Sequence, residues 1–302
     1  MKKKITYSLS LLFLLCFTAC GVASGSDTGD ELRRYRPLRG ADEVFGEEVA
    51  VPETTTAPLR VMSSSNPSTR RESAMFATAP ATMQPSPSEL IGGRRVIEAT
   101  RPMVALTFDD GPSSHTAKIL DLLDEYGGRA TFFVIAPLVE RHPELIARMA
   151  SSGHEILGHT VTHRSLTSLS RSEVRKEIVD AHAVIETALG TSVPQIFRPP
   201  FGNVNSTVRE VAGEVGFSIV NWDLDTRDWS SRNAITIHGV VEGNVRDRSI
   251  VLAHDIHAPT AESMELVIPM LVDMGFQLVT VSELMHYSGK EMSAGGLYTH
   301  GR

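Results

Sequence analysis

Met103-Val104-Ala105-Leu106-Thr107-Phe108-Asp109-Asp110-Gly111-Pro112 is an apolar run, broken only by Thr107, that stops on two carboxylates and a turn. A continuous apolar run of this length, without alternation, reads as a strand buried on both faces, the usual state of a strand in a parallel sheet. Asp-Gly-Pro alone is a good turn former. Two adjacent aspartates are costlier, because they repel unless a cation is shared nearby. Successive residues leaving a strand point in different directions, so the two carboxylates can take separate roles.

Working outward, short apolar runs alternate with helical patterns along the rest of the chain. Helices are expected at 116–126, with Ile119, Leu122 and Leu123 on one face, and at 143–151, 207–215, 234–245 and 261–274. A further helix, 171–189, opens on a Ser170/Glu173 capping box and closes at Gly190. Asn205 is a candidate cap for 207–215. Strands are expected at 131–135, 155–157, 195–197, 217–222, 249–253 and 276–279. The tail after Tyr287 contains Gly and Ser and reads as loose. Such alternation predicts an α/β fold: a closed or nearly closed barrel of about seven repeats, with a doubly wound open sheet as the alternative. Either fold puts its chemistry at the C-terminal ends of the strands.

Upstream of residue 96 the character differs. Lys2, Lys3 and Lys4 precede an uncharged run from Ile5 to Ala19, the pattern of an export signal over 1–19. That run is shorter than the ~20 residues a membrane-spanning helix needs. Phe17-Thr18-Ala19-Cys20-Gly21 resembles a bacterial lipobox, departing from it at Phe17; the resemblance implies a lipid on Cys20 and attachment to the cell envelope. Ordinary cleavage at Ala19 or Ala23, giving a secreted protein, is the alternative. Residues 51–90 hold seven Ser, six Thr and six Pro without apolar periodicity, so 20–95 reads as a disordered tether and 96–302 as the folded domain.

Composition narrows the function classes. The 302 residues are 41% hydrophobic, enough for a core, and carry a net charge of −7. Nucleic acid is excluded as the main partner, because phosphate binding needs a basic surface. The charge is uneven: 96–302 holds 17 basic and 26 acidic residues. An acidic domain of this kind favours a neutral or cationic ligand and is expected to be monomeric. Both cysteines, Cys16 and Cys20, lie in the first twenty residues, which excludes a disulfide scaffold.

Four more clusters fall where strands end. His159 and His163 stand at i, i+4, and on a helical turn this spacing would put both imidazoles on one face as a metal-ligand pair; chance surface histidines share it. Arg198-Pro199-Pro200-Phe201-Gly202 follows a strand, places a permanent cation near the barrel mouth, and alone is a stiff turn. Trp222-Asp223-Leu224-Asp225-Thr226-Arg227-Asp228-Trp229 carries both tryptophans among three aspartates, which suggests a sugar-binding rim; core packing would explain one of them. Ile250-Val251-Leu252-Ala253-His254-Asp255 delivers a histidine at a strand end, where many histidines are only hydrogen-bonded core residues.

In this order the five clusters resemble the motifs of the NodB-type polysaccharide deacetylases, the fourth carbohydrate esterase family, over about 101–286. The resemblance implies a distorted (β/α) barrel that removes acetyl groups from N-acetylglucosamine polymers or acetylated xylan. It implies that Asp110, His159 and His163 bind one divalent metal, for which zinc is the first choice and cobalt, nickel or iron remain open. Asp109 becomes the general base, paired with Arg198. The backbone N–H of Phe201 becomes an oxyanion donor; many family members carry Tyr there, and a backbone role survives the loss of a hydroxyl. His254 becomes the general acid, with Asp228 as first partner and Asp225 as second. Trp229 and Leu252 line the acetyl pocket. The remaining histidines, His257 among them, are expected to be ordinary surface or core residues.

The leading expectation is a metal-dependent hydrolase that N-deacetylates an extracytoplasmic glycan, peptidoglycan or chitin-like. Alternatives are an O-acetyl esterase acting on xylan and a glycan-binding module without turnover. A two-His-one-carboxylate iron oxygenase shares the ligand types but not the α/β pattern.

Overall fold

The computed structural model describes residues 96–302; the expected export signal, Cys20 and the tether lie outside the described residues. β1 (Met103–Asp109) is buried at all seven positions. It is followed by α1 (Thr116–Glu125), β2 (Thr131–Val134), α2 (Ala136–Arg141), α3 (Pro143–Ser151), β3 (Glu155–Gly158) and α4 (Arg171–Leu189). Next come β4 (Ile196–Phe197), α5 (Ser206–Glu214), β5 (Ser218–Val220), β6 (Leu224–Asp225), α6 (Asp228–Ser231) and α7 (Ala234–Asn244). The chain ends with β7 (Ser249–His254), α8 (Ala258–Asp273), β8 (Gln277–Leu278), α9 (Val281–Tyr287) and β9 (Leu297–Tyr298). Among the described residues no helix is long and apolar enough to cross a membrane.

The strands form one curled parallel sheet in the order β6-β7-β1-β2-β3-β4-β5-β9, with β8 added at the start of β1. Helices pack on its outer face, which makes it a distorted β/α barrel. Side-chain parity sorts the core into layers. Val104, Leu106 and Phe108 of β1 join Ile119, Leu123, Met264 and Ile268 in the layer under α1 and α8. Met103 and Ala105 point the other way, with Phe133, Leu157, Ile196, Val220 and Ile250, into the barrel interior. Continuing each strand on its interior parity leads to Asp109, His159, Arg198, and Leu252 with His254.

Ladder register then levels these residues. Asp109 stands opposite both Phe133 and His254, Val134 opposite Gly158, and Gly158 opposite Phe197. The residues at or just beyond the ends of β1, β3, β4 and β7 therefore share one rim.

Three expectations are corrected. His159 and His163 lie on an extended loop, not a helical turn; Thr160 and His163 both have positive φ, which breaks helical geometry. The tail after Tyr287 is ordered. It pairs β9 with β5, so the backbone groups of an otherwise open edge are satisfied, and His300 bridges to Ser249. Trp222 is partly buried against the interior layer, which leaves Trp229 as the exposed tryptophan.

Candidate active site

Arg198 ties the rim together. Its side chain is fully buried, yet every polar end of it is used. Nη1 donates to Asp109 Oδ1 at 2.6 Å and to Thr107 Oγ1 at 2.7 Å. Nε donates to the Val220 carbonyl at 3.1 Å and Nη2 to the Asn221 carbonyl at 3.0 Å. The guanidinium also stacks 4.0 Å over the Phe133 ring. Breaking such a buried pair from one side costs about 3–5 kcal/mol, because the remaining charge is stranded. So Arg198 is an interior residue, deeper than the barrel mouth where the sequence placed it.

The backbone of the same residue serves a second purpose. His159 Nδ1 lies 2.8 Å from the Arg198 carbonyl, so Nδ1 carries the hydrogen and Nε2 presents a lone pair. Burial pushes the His159 pKa down, against the pull of Asp109 and Asp110, and favours the neutral ring that a ligand must be. His159 Nε2 is 3.4 Å from Asp110 Oδ1, and His163 Nε2 is 3.1 Å from the same oxygen. One donor atom from each of these three residues falls within 4.8 Å of the others. Asp110 Oδ1 is buried without a hydrogen-bond partner. Burial alone would raise the Asp110 carboxyl; His163 and the charges of His159 and His254 outweigh it and hold it far below the usual carboxylate range. Two ligands of one ion at ~2.1 Å stand roughly 3.0–3.5 Å apart, so the oxygen–nitrogen spacing and the orphaned oxygen fit a divalent cation.

Glu177 of α4 shapes the loop that carries His163. Its Oε2 accepts from the backbone N–H of Val161 at 2.8 Å and of Thr162 at 2.9 Å, and Oε1 takes the Thr162 hydroxyl. Sequence reasoning missed this residue. The available signal was a carboxylate on the buried stripe Val174-Glu177-Ile178-Ala181, a position that needs a partner.

Across the rim, His254 Nδ1 is 2.8 Å from Asp228 Oδ1. The His254 backbone N–H reaches Asp228 Oδ2 at 2.7 Å, and the Thr260 hydroxyl donates to that oxygen at 2.7 Å. Burial opposes a charged His254, but the hydrogen bond and charge of Asp228, with further help from Asp109 and Asp110, push its pKa up to about 9. Asp225 is not beside His254; its Oδ1 accepts from the backbone N–H of Arg227 at 2.8 Å in a local turn. Asp255 is a further buried carboxylate. A Cβ on Gly111 would come within 2.1 Å of its Oδ1, so only glycine lets the Asp110 loop pass.

Phe201 is 63% exposed and its ring sits 4.9 Å from that of His163. Trp229 is 52% exposed, while Leu252 is buried beside Thr107 in the β1–β7 ladder. Positive φ occurs at seven non-glycine residues among those described. Asp110, Thr160, His163 and Phe201 stand at the centre of the site, and Arg227 and Arg232 flank α6 beside it; only Arg248 lies elsewhere. Each costs about 1–3 kcal/mol, and strain gathered at one rim marks a functional place.

The sequence profile of a family described as polysaccharide deacetylase matches residues 97–220. A peptidoglycan-N-acetylglucosamine deacetylase of Bacillus cereus is 36% identical over 191 residues, covering 61% of this chain and 89% of its own. The chain belongs to the polysaccharide deacetylase family. A peptidoglycan-N-acetylmuramic acid deacetylase of Bacillus subtilis, PdaC, is 39% identical over 189 residues, 62% of this chain and 40% of its own. The chain thus spans about two fifths of the length of the first curated relatives it matches. Among solved structures, a family 4 acetyl xylan esterase from Clostridium thermocellum in complex with a cobalt ion superposes with a TM-score of 0.61 at 35% identity, over 66% of this chain and 98% of its own. In this deacetylase-family chain Asp228 and His254 lie beyond the profile match, so the rim opposite the His-His-Asp cluster is built by the last third of the chain.

Proposed function

We propose that this chain is a metal-dependent hydrolase that removes N-acetyl groups from an extracytoplasmic polysaccharide, peptidoglycan N-acetylglucosamine or chitin-like oligomers, and releases acetate. One observation carries the reading: the Asp110, His159 and His163 donors lie between a buried carboxylate paired with Arg198 and a histidine charged by Asp228. Asp110, His159 and His163 hold the cation, zinc first, with cobalt, nickel or iron able to fill the same O,N,N set. When bound, such a cation supplies Lewis acidity, polarising a carbonyl and lowering the pKa of a water.

The chain's own residues do the rest. Asp109 Oδ1 is occupied by Arg198, so Oδ2, the oxygen 3.7 Å from His159 Nε2, takes the proton of the attacking water. The water oxygen adds to the acetyl carbon, and the backbone N–H of Phe201 donates to the oxyanion that develops. His254, whose Nδ1 is held by Asp228, gives its Nε2 proton to the nitrogen as the C–N bond breaks. Acetate and a free amine result. Trp229 and Leu252 border the acetyl group; Asp225 serves the turn that leads to Trp229.

The same proposal covers the whole chain: export through 1–19, a lipid on Cys20, a tether over 20–95, a monomeric catalytic domain over 96–302 and no nucleic-acid partner. Replacing Cys20 by Ser is expected to release the protein from the membrane fraction. The deciding experiment measures acetate release from penta-N-acetyl chito-oligomer, peptidoglycan and acetylated xylan, with metal analysis of the same sample. Asp109→Asn is expected to keep its metal and lose turnover. Release from xylan alone would make the chain an O-acetyl esterase; glycan binding without acetate release from any substrate would make it a binding module.

A further inference from the structure

Arg232 closes α6 in a left-handed conformation, with φ 46° and ψ 37°. Two contacts fix its side chain without neutralising it. Nε donates to the Trp229 carbonyl at 2.9 Å, and Nη1 lies 2.7 Å from His257 Nδ1. A guanidinium has no acceptor, so His257 Nδ1 accepts and its Nε2 carries the hydrogen. Among the described residues no carboxylate lies within ion-pair distance of Arg232, although 96–302 holds 26 acidic residues against 17 basic. Arg232 is exposed.

The location gives that cation a purpose. The His257 ring is 6.3 Å from the His254 ring, and Trp229, whose carbonyl holds Arg232, directly follows Asp228. The sequence assigned His257 to ordinary surface or core, yet it is the strut between the acid side of the rim and a fixed, unneutralised guanidinium. Burial and the Arg232 charge both hold the His257 pKa below its ordinary value, so it stays a neutral acceptor that does not repel Arg232. Guanidinium recognises carboxylate through paired N–H donors, and Nη2 has no contact to give up.

We propose that Arg232, positioned by His257 and the Trp229 carbonyl, is a carboxylate subsite that makes the enzyme favour an acidic acetamido glycan over a neutral one. The subsite rests on the deacetylase reading above and names its substrate class. Two carboxylates meet the chemistry: the lactyl group of an N-acetylmuramic acid residue, and the peptide stem attached to that group in peptidoglycan.

The test compares kcat/KM for acetate release by the metal-loaded full chain on four glycans. These are a neutral N-acetylglucosamine tetramer, a tetrasaccharide alternating N-acetylglucosamine with N-acetylmuramic acid, its lactyl amide, and the same glycan bearing peptide stems. The expected result is a preference for a carboxylate-bearing glycan over both the neutral tetramer and the amide. Arg232→Gln should erase that preference by roughly 10- to 100-fold, mostly through KM, the range for losing hydrogen bonds to a charged group. Arg232→Lys should recover part of it. A preference that appears only with stems attached supports the site with the stem as its anion. An unchanged substrate ratio in Arg232→Gln, or equal rates on the free acid and the amide, overturns the proposal. If the wild type releases acetate from none of the glycans, the deacetylase reading fails. Equilibrium binding of the same glycans to wild type and Arg232→Gln then decides the subsite by the same ratio.

Discussion

Asp228 acts on His254 from two directions, through the ring and through the backbone N–H, so it sets both the charge and the aim of that side chain. The charge has a sign that can be followed with pH. His254 has a folded pKa of about 9, above the ~6.5 of an unfolded chain. Its stabilising contribution is therefore complete below about 6.5 and disappears as pH rises through about 9. Asp228 is shifted the other way: burial raises it, but its bonds to His254 and Thr260 prevail and lower it. Its contribution is present above ~3.9 and fades only as pH falls through the depressed folded value. The pair is at full strength between those limits. If His254 must be protonated to act, kcat/KM should fall on the alkaline side near pH 9 in the wild type. Asp228→Asn should move that limb down towards ~6.5, narrowing the active range from above. A pH–rate profile whose alkaline limb stays in place in Asp228→Asn would remove His254 as the acid.

Helix α4 separates two kinds of information within one element. Its ends were legible because their causes are local: Ser170 and Glu173 form a capping box, and Gly190 closes the helix at φ 64°. That β1, β3, β4 and β7 lead to Asp109, His159, Arg198 and His254 at their ends was equally legible; that Arg198 lies buried below the mouth was not, because two of its acceptors are the distant carbonyls of Val220 and Asn221. The loop 159–163 was not. Its left-handed residues are Thr160 and His163, neither of them the glycine that would announce positive φ, and the acceptor that holds the intervening Val161 and Thr162 is Glu177 on the following helix. Sequence spacing suggested a helical turn because i, i+4 is the simplest way to bring two imidazoles together. Here a carboxylate from α4 achieves the same by gathering backbone donors. Two substitutions on this helix should therefore part company. Ser170→Ala should lower stability by about 1 kcal/mol and leave metal affinity unchanged, since a cap is a local term. Glu177→Ala should weaken metal binding by roughly 10- to 100-fold, an effect of the size seen for lost outer-shell partners, because the loop that presents His163 loses the acceptor of Val161 and Thr162. Paired denaturation curves and metal titrations check both, and equal metal affinity in the two variants would sink the loop role of Glu177.

On the scale of the whole molecule, the segment that composition made look loose holds the two sides of the barrel together. Gly295 donates to the Phe217 carbonyl, Ile219 to that of Gly296 and Asn221 to that of Tyr298, which lays β9 along β5. The chain then crosses to β7: His300 bridges to Ser249, and Gly301 donates to the Arg248 carbonyl. Arg302 ends the path with Nη2 2.5 Å from Asp223 Oδ2 and Nη1 3.1 Å from the Asp247 carbonyl. Composition misleads here because glycine serves two opposite ends. Gly295, at φ 73°, is where a Cβ would meet the Arg209 carbonyl at 2.8 Å, so the residue that reads as slack is needed for close approach. Asp223 precedes β6, and Asn221, held by both Arg198 and Tyr298, lies between β5 and β6. Loss of the tail would therefore loosen the carbonyl that anchors Arg198, and through it Asp109. A chain ending at Gly289 should unfold at a temperature several degrees lower, because the β5 edge is opened, the Arg248 carbonyl loses the Gly301 N–H and Asp223 loses its ion pair with Arg302. It should also lose turnover at temperatures where it is still folded, with its metal retained, since His159, His163 and Asp110 make no bond to the tail. Calorimetry and acetate release on the truncated and full chains read these two effects separately, and an unchanged melting temperature would show that the tail only decorates the barrel.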